Sequence, residues 1–199
     1  MKALALAALV LALAGCVNFG DRADSIAVTY YVLDDTAAVP ARQTLDGTAP
    51  TLLVLDTTTS SFYDSDALAF SRASGTRGQY QFARWTERPG KRFSDLLRAR
   101  LDAQGAWRVA AAGGHVRGDQ LLDTELIEFY HDASSAPGTL RLVLRAELID
   151  LGSRALVKRR TFEQAVPLAT YDAAGAARAA SEATARTLDE LSAWLASRP

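Results

Sequence analysis

The single cysteine of the chain is the side chain with the clearest chemistry. Cys16 closes the tetrapeptide 13–16 (LAGC) and follows Ala3–Ala14, an uninterrupted run of Ala, Leu and Val behind Lys2. A positive start, a short apolar run and small residues before a cleavage point are typical of a secretory signal peptide. The run is shorter than the ~20 apolar residues that a membrane-spanning helix needs. The sequence therefore predicts export and cleavage just before Cys16, with residues 1–15 as the signal peptide.

The same tetrapeptide resembles the lipobox of bacterial lipoproteins, in which the cysteine thiol accepts a diacylglyceryl group. By that resemblance the freed Cys16 amine is acylated as well, with a fatty acid such as palmitate. Each buried methylene contributes ~0.8 kcal/mol, so two or more chains hold a protein far more firmly than one. The alternative is an ordinary signal peptide that happens to contain a cysteine, which the correct distance between lipobox and apolar run disfavours. Val17 stands where Asp would favour inner-membrane retention, which predicts the periplasmic face of the outer membrane.

The other chemically capable side chains do not form a catalytic or metal-binding pattern. His115 and His131 are both expected in exposed loops, without the clustered partners that complete the three or four ligands of a zinc site. Residues 57–61 (TTTSS) offer hydroxyl groups but not the Gly-x-Ser-x-Gly frame of a serine hydrolase. We therefore expect a protein that is not an enzyme, with no catalytic residue, no metal and no cofactor.

Several glycine-rich and charged motifs are interpreted as turns or surface. Residues 64–66 (DSD) lack the glycine and distal glutamate of a calcium loop, and 75–78 and 113–114 lack the Lys-Ser/Thr of a phosphate loop. The basic triplet 158–160 (KRR) lies on a predicted strand, where charge protects a free edge; contact with lipid headgroups is a second interpretation. Three tryptophans are expected in the core or at its rim: Trp85, Trp107 and Trp194.

Composition limits the remaining part of the chain to one domain. Removal of the first 15 of 199 residues leaves 184, with 21 basic and 23 acidic side chains and a net charge of −2, so bulk charge does not attract nucleic acid. The lone cysteine excludes an internal disulfide. Residues 16–25 read as a short lipidated tether, and 26–199 as a single domain that must be stabilised by packing.

Strands and helices are predicted from hydrophobic period. Strands are expected at 26–33, 51–56, 67–71, 79–85, 107–109, 120–130, 140–149 and 154–166, and an alternation of Leu140 to Leu148 with charged neighbours is the clearest of them. An amphipathic helix is expected from Lys91 to Ala103, after Pro89-Gly90 end the strands, and an alanine-rich helix from Ala176 to Ala196. This order predicts an α+β fold, a mostly antiparallel sheet with two main helices packed on one face.

The order of motifs resembles the ABC-type transport auxiliary lipoproteins, the group that includes paraquat-inducible protein C. The resemblance covers residues 30–195. Its motifs, in order behind the lipobox, are Tyr30-Tyr31-Val32-Leu33, Tyr80-x-Phe82-x-x-Trp85 with a Leu-rich helix, L-x-x-E-L-x-x-F over 122–129, the alternating hairpin 140–148 and 156–162, and a last helix ending in L-x-x-W-L at 191–195.

The resemblance implies a non-catalytic role. These lipoproteins work beside an ABC transporter and a periplasmic protein of the mammalian-cell-entry type, and move phospholipid or other apolar molecules between the two membranes. Cys16 is the one functional position that the resemblance carries over. The resemblance is also compatible with a homo-oligomer of this chain, since a partner of the mammalian-cell-entry type spans the periplasm as an oligomer.

Two other functions stay open on the sequence. One is a lipoprotein whose own domain encloses and carries a lipid or another apolar ligand, which a core that reads as filled disfavours. The other is a surface-attached hydrolase, which the missing constellation of catalytic residues disfavours.

Overall fold

The computed structural model describes residues 27–37 and 47–197. These residues form nine strands and two helices. The strands are β1 (Thr29–Tyr31), β2 (Thr51–Val54), β3 (Thr58–Thr59), β4 (Ala67–Ser71), β5 (Gly78–Trp85), β6 (Arg108–Ala111), β7 (Gln120–Asp132), β8 (Thr139–Asp150) and β9 (Ala155–Pro167). The helices are α1 (Pro89–Gln104) and α2 (Ala173–Ala196). The expected signal peptide, Cys16 and the tether 16–25 lie outside the described residues.

A long antiparallel meander forms one half of the sheet. β7 pairs with β8 along nearly its whole length, and β8 pairs with β9 in the same way. The strict alternation predicted for β8 is confirmed, because every second side chain from Leu140 to Leu148 is buried. The opposite face of these strands carries charged residues, as period-two patterning requires of a sheet covered on one side.

The other half of the sheet is built from short strands that follow the free edge of β7. β2, β3 and β4 lie one after another along that edge, each parallel to β7. β6 then extends the sheet beyond β2, while β5 and finally β1 extend it beyond β4. β1 and β9 therefore lie at opposite edges of the sheet.

The predicted fold class is confirmed: the domain is α+β, and its longest strand pairings are antiparallel. Both helices pack on the same side of the sheet and contact each other. The parallel pairings of the first half could not be predicted from the hydrophobic period. The period indicates which face of a strand is buried but not which strand lies beside it.

The first helix begins earlier than predicted. Pro89 and Gly90 form its first turn and do not end the preceding strand. Proline suits this position, because its missing N–H is one of the helix N-terminal groups that have no partner within the helix, and its fixed φ is already helical. The helix ends at Gly105, which adopts the left-handed conformation (φ 69°) that commonly follows the last turn of a helix.

The length of β1 and the pattern of buried residues in β5 also differ from expectation. β1 is limited to Thr29–Tyr31, because its pairing with β5 covers these three residues only. In β5 the register against β4 shifts between Ala67 and Ala69. This irregularity breaks the predicted alternation: Tyr80 is half-buried, but Phe82 is exposed, and Ala83 and Trp85 face the core.

The alanine-rich helix packs on the meander. Its predicted stripe is buried, from Ala177 and Ala180 through Thr184 to Leu188, Leu191 and Leu195. The small side chains of its first half let the helix approach the sheet closely, while Trp194 packs edge-on against Phe162 of β9. Trp85 also lies in the core and Trp107 packs against it, as expected. Within residues 27–37 and 47–197, no helix combines the length and apolarity needed to cross a membrane.

Candidate functional site

An exposed apolar edge lies where the described chain begins. Of the eight large apolar side chains exposed in the described residues, four belong to β1, its flanks and β5: Val28, Tyr30, Val32 and Phe82. We call these four residues the N-terminal edge. Tyr30 is 60% exposed and Val32 is 56% exposed. Their neighbour Tyr31 lies beside Trp85 in the parallel register and packs against the core. One side of this strand therefore holds the fold together, and the other presents apolar surface.

A groove of about 540 Å³ continues from this edge to the start of α2. Tyr31, Val32 and Thr36 form one wall. The facing wall is α2, whose alanines leave room for the groove; its lining residues are Ala174, Ala177, Arg178, Ser181 and Glu182. Val32 belongs to both the groove and the N-terminal edge, so the two form one continuous apolar surface. The groove is open to solvent and does not enclose a ligand.

Charges around this surface are distributed unevenly. The carboxylates are paired: Asp34 with Arg92 at 3.5 Å, and Glu182 with Arg186 one helical turn away. The guanidinium group of Arg84, beside Tyr30, donates to the backbone oxygens of Tyr80 and Ala83 at 2.7 and 2.9 Å. Arg178 donates to Thr170 Oγ1 at 3.0 Å. Arg84 therefore contributes positive charge next to the apolar edge, while the charge of Arg178 is partly offset by the nearby Asp172 carboxylate.

A buried ion cluster holds the segment that follows β1. Arg100 of α1 donates to both carboxylate oxygens of Asp35, Nε to Oδ2 at 2.8 Å and Nη2 to Oδ1 at 2.5 Å, and also to Asp189 of α2. Burial lowers the pKa of Arg100, but its bonds to Asp35 and Asp189 outweigh this and raise it above its ordinary value. Arg92 Nε donates to the Leu33 carbonyl at 2.9 Å. The cluster thereby joins the segment after β1 to both helices.

His131 lies in the core, so the expectation of an exposed loop was wrong for this residue. It is buried near the end of β7, which extends to Asp132, and its Nδ1 shares a hydrogen bond of 2.7 Å with the Tyr80 hydroxyl. Its Nε2 has no hydrogen bond of ordinary geometry to the described residues, although the Pro137 backbone lies near enough to favour the charged ring. Gly138 (φ 83°) covers this nitrogen, and a Cβ there would collide with it.

This environment predicts a pH-dependent stability. Burial lowers the pKa of His131 below its ordinary 6.5, so the unfolded chain binds a proton more readily than the folded one. Stability linked to this residue is therefore fully present above about pH 6.5 and decreases as the pH falls toward the folded-state pKa. We expect His131→Asn to flatten the dependence of unfolding free energy on pH, measured by urea denaturation between about pH 5.5 and 7.5.

His115 provides the matched control for that measurement. It is exposed, as predicted, so His115→Asn makes the same substitution without removing a buried side chain. An equal slope in the His131 variant and the unaltered protein would contradict a buried neutral imidazole. The absolute stability of the His131 variant does not enter the comparison, because the slope is the measured quantity.

The polar residues of the open sheet face form cross-strand contacts. Arg145 pairs with Glu125, and Arg159 pairs with Glu147 at 2.9 Å. The hydroxyl-rich segment 57–61 is structural where it meets β7, since Thr57 Oγ1 and Thr124 Oγ1 share a buried hydrogen bond of 2.8 Å. Among the residues that the structure describes, no three His, Cys, Asp or Glu side chains are arranged to hold a metal ion. Residues 64–66 form a turn, as predicted.

The basic triplet 158–160 lies on an edge strand, as predicted, but its charges have partners inside the domain. Lys158 Nζ donates to the carbonyl oxygens of Trp194 and Ser197, at 2.7 and 2.6 Å, and so caps the last turn of α2. Cations are favoured there, because the free carbonyl groups give that end of a helix a partial negative charge. Arg160 pairs with Glu190 of α2 at 3.4 Å. The triplet therefore fastens α2 to the sheet, which argues against headgroup contact as its main role.

Two solved structures share this architecture. A crystal structure of a DUF330-family protein from Xanthomonas campestris shares 23% identity with a TM-score of 0.74, covering 84% of this chain and 94% of that one. The crystal structure of an uncharacterized protein shares 14% identity with a TM-score of 0.68, covering 85% of this chain and 99% of that one. At these identities the likeness establishes the fold. A comparison with curated proteins gave no match.

The family itself is shown by the sequence. A family model described as the ABC-type transport auxiliary lipoprotein component matches residues 31–192, from β1 to the last turns of α2. This range contains the whole meander, the first helix and all but the last four residues of α2, so the resemblance drawn from the order of motifs is confirmed. The chain belongs to the family of ABC-type transport auxiliary lipoprotein components.

Proposed function

We propose that this protein is a non-catalytic lipoprotein, anchored through Cys16 to the periplasmic face of the outer membrane, that acts as the adaptor of an ABC-type transport system. Its partner in this proposal is a periplasmic protein of the mammalian-cell-entry type, and its transported molecule is a lipid. The observation that carries the proposal is the family match over residues 31–192, which follows the leader and lipobox expected in residues 1–16. The buried core supports an adaptor rather than a carrier, because side chains of both helices fill the space over the sheet where a carrier would hold its ligand.

A pull-down with the full-length lipidated protein tests this function. Membranes are separated into inner and outer fractions, the protein is captured from each, and bound proteins are identified by mass spectrometry. We expect a mammalian-cell-entry protein together with its ABC transporter components in the outer-membrane capture. Capture of neither, from membranes that contain both, would contradict the adaptor role.

The residue after the lipidated cysteine gives a second prediction. Val17 is expected to direct the protein to the outer membrane, because Asp at this position favours retention in the inner membrane. We therefore expect Val17→Asp to move most of the protein to the inner-membrane fraction while lipidation continues. Density-gradient fractionation with immunoblotting measures the distribution, and Val17→Ala serves as the control that should stay in the outer membrane. Identical distributions for the two variants would contradict outer-membrane sorting by this rule.

The groove beside α2 favours one alternative function, a lipoprotein that itself carries a lipid or another apolar ligand. Its lining is mainly apolar and its volume is about 540 Å³. It lies open at the surface, whereas a carrier shields its ligand from water and buries most of the ligand's surface. Lipid that co-purifies with the protein in stoichiometric amount, without a transport partner in the pull-down, would favour the carrier over the adaptor.

A further inference from the structure

We propose that the N-terminal edge docks on the phospholipid surface in which the protein is anchored, and so fixes the orientation of the domain. The edge consists of Val28, Tyr30, Val32 and Phe82, all exposed. This inference rests on the proposed lipidation of Cys16 and goes beyond it, since a lipid anchor by itself does not select which surface faces the membrane.

Chain length brings this edge close to the membrane. Ala27, where the described chain begins, lies eleven positions after Cys16. A fully extended chain of that length spans at most about 40 Å, and any other conformation is shorter. Val28 is the next residue, so the N-terminal edge is the first surface that the anchored chain reaches. β9, at the opposite side of the sheet, is separated from this entry point by the width of five strands.

The chemistry of the edge suits the boundary between headgroups and acyl chains. Tyrosine combines an apolar ring with a hydroxyl group, and aromatic residues of this kind are enriched at membrane interfaces. Arg84 lies beside Tyr30, and Arg178 lies at the adjoining groove. Arg84 donates its hydrogen bonds to neutral oxygens, which leaves its guanidinium charge to attract lipid phosphate, whereas Arg178 also interacts electrostatically with the Asp172 carboxylate. The nearby carboxylates of Asp34 and Glu182 are paired with arginines and repel phosphate less.

The size of the edge argues against a second copy of the chain as its occupant. Four partly exposed side chains form a much smaller surface than the roughly 20–30 residues, or ~800 Å², that a standard protein interface buries on each partner. A lipid surface has no such requirement, because the covalent anchor already supplies most of the affinity and the edge adds to it. A few inserted side chains are enough to orient an anchored domain.

Site-specific fluorescence on the lipidated full-length protein tests the proposal. Lipidation consumes the thiol of Cys16, the sole cysteine of the chain, so Tyr30→Cys introduces one reactive thiol. The variant carries an environment-sensitive dye and is reconstituted in vesicles of phosphatidylethanolamine and phosphatidylglycerol, with or without nitroxide-labelled lipid. Leu156→Cys is the matched control, since Leu156 is also an exposed apolar residue but lies on β9 at the opposite edge.

We expect the dye at position 30 to emit at shorter wavelength in vesicles and to be quenched by the nitroxide lipid, with neither change at position 156. Adding Val28→Ser and Val32→Ser to the Tyr30→Cys protein should abolish both changes, whereas Val116→Ser, a substitution of an exposed valine elsewhere, should leave them. An unchanged thermal unfolding transition shows that each variant is folded.

Three results would overturn the proposal. The first is flotation of the protein with vesicles without quenching at position 30. The second is equal quenching at positions 30 and 156, which means that the domain has no fixed orientation. The third is dye self-quenching at position 30 that rises with protein density without nitroxide quenching, which means that a second copy covers the edge. Failure to float at all would overturn the Cys16 anchor, and with it the anchored geometry on which this inference depends.

Discussion

Cys16→Ser is expected to abolish lipidation and to remove the protein from the outer membrane. In the proposed lipidation the diacylglyceryl group attaches to the sulfur of Cys16, the one cysteine of the chain. A serine hydroxyl is a much weaker nucleophile than a thiolate at neutral pH. Without acyl chains the remaining contacts of the domain with lipid are too small to anchor it, because even one myristoyl chain gives only about 10⁴ M⁻¹.

Metabolic labelling with palmitate and membrane fractionation measure this effect. Label on the immunoprecipitated Cys16→Ser protein should fall to background, and the outer-membrane fraction should lose the protein almost completely. Asn18→Ser is the matched control, since it introduces the same residue two positions further along the predicted tether. An unchanged amount of the Cys16→Ser protein in the outer membrane would contradict the interpretation of residues 13–16 as a lipobox that supplies the anchor.

The second half of the chain was predictable because its signals are local. The alternation from Leu140 to Leu148 and the helical stripe from Ala177 to Leu195 each specify an element and its buried face, and the structure has both. The antiparallel hairpin of β8 and β9 follows from the turn at 151–154. The parallel strands of the first half depend on pairings between residues 54 to 68 positions apart, such as Leu52 with Gln120, and no local signal encodes these.

His131 was misplaced because the period of β7 changes inside the strand. Leu122, Thr124 and Leu126 are buried at even positions, but a register shift between Leu126 and Glu128 moves the buried face to odd positions. Phe129 and His131 therefore face the helices. A bulge adds one residue to one strand and inverts the alternation beyond it. The prediction assumed one unbroken alternation and ended the strand at Tyr130. It therefore placed His131 in a loop and not on a buried strand position.

The N-terminal edge and the ion cluster were also missed, although one of them left a signal. Arg100 lies four residues after Leu96 and three after Leu97, so helical geometry places it on the buried face of α1. A charged residue on that face needs a buried partner, which the sequence does not identify because Asp35 is 65 residues away. Tyr30 is exposed because β1 is the last strand on its side of the sheet. The position of a strand in the assembled sheet cannot be read from its own residues.

Arg100→Met is expected to lower the free energy of unfolding by about 3–5 kcal/mol, the range found when one partner of a buried ion pair is removed. The Arg100 side chain is 3% exposed and that of Asp35 is 6% exposed. Methionine fills a similar volume but leaves the Asp35 carboxylate buried without its two charge-assisted hydrogen bonds. Asp189 is mostly exposed, so solvent compensates for the loss of its bond to Arg100.

An exposed ion pair of the same sheet provides the comparison. Arg145→Met removes the partner of Glu125, and both side chains are exposed, so the expected loss is below about 1 kcal/mol. Urea denaturation followed by the fluorescence of the buried Trp85 and Trp194 measures both variants under identical conditions. Losses of equal size would show that the Arg100 cluster contributes no more than a surface pair.

A third variant separates the lost charge pair from lost packing. If the penalty comes from the unpaired Asp35 carboxylate, adding Asp35→Leu to Arg100→Met should recover a large part of the stability, because replacing both members of a buried pair by apolar residues is often neutral. No recovery would assign the loss to packing around the arginine stem. Because this cluster joins the segment after β1 to both helices, recovery would also show that a charge pair, rather than shape alone, holds the N-terminal edge in position on the domain.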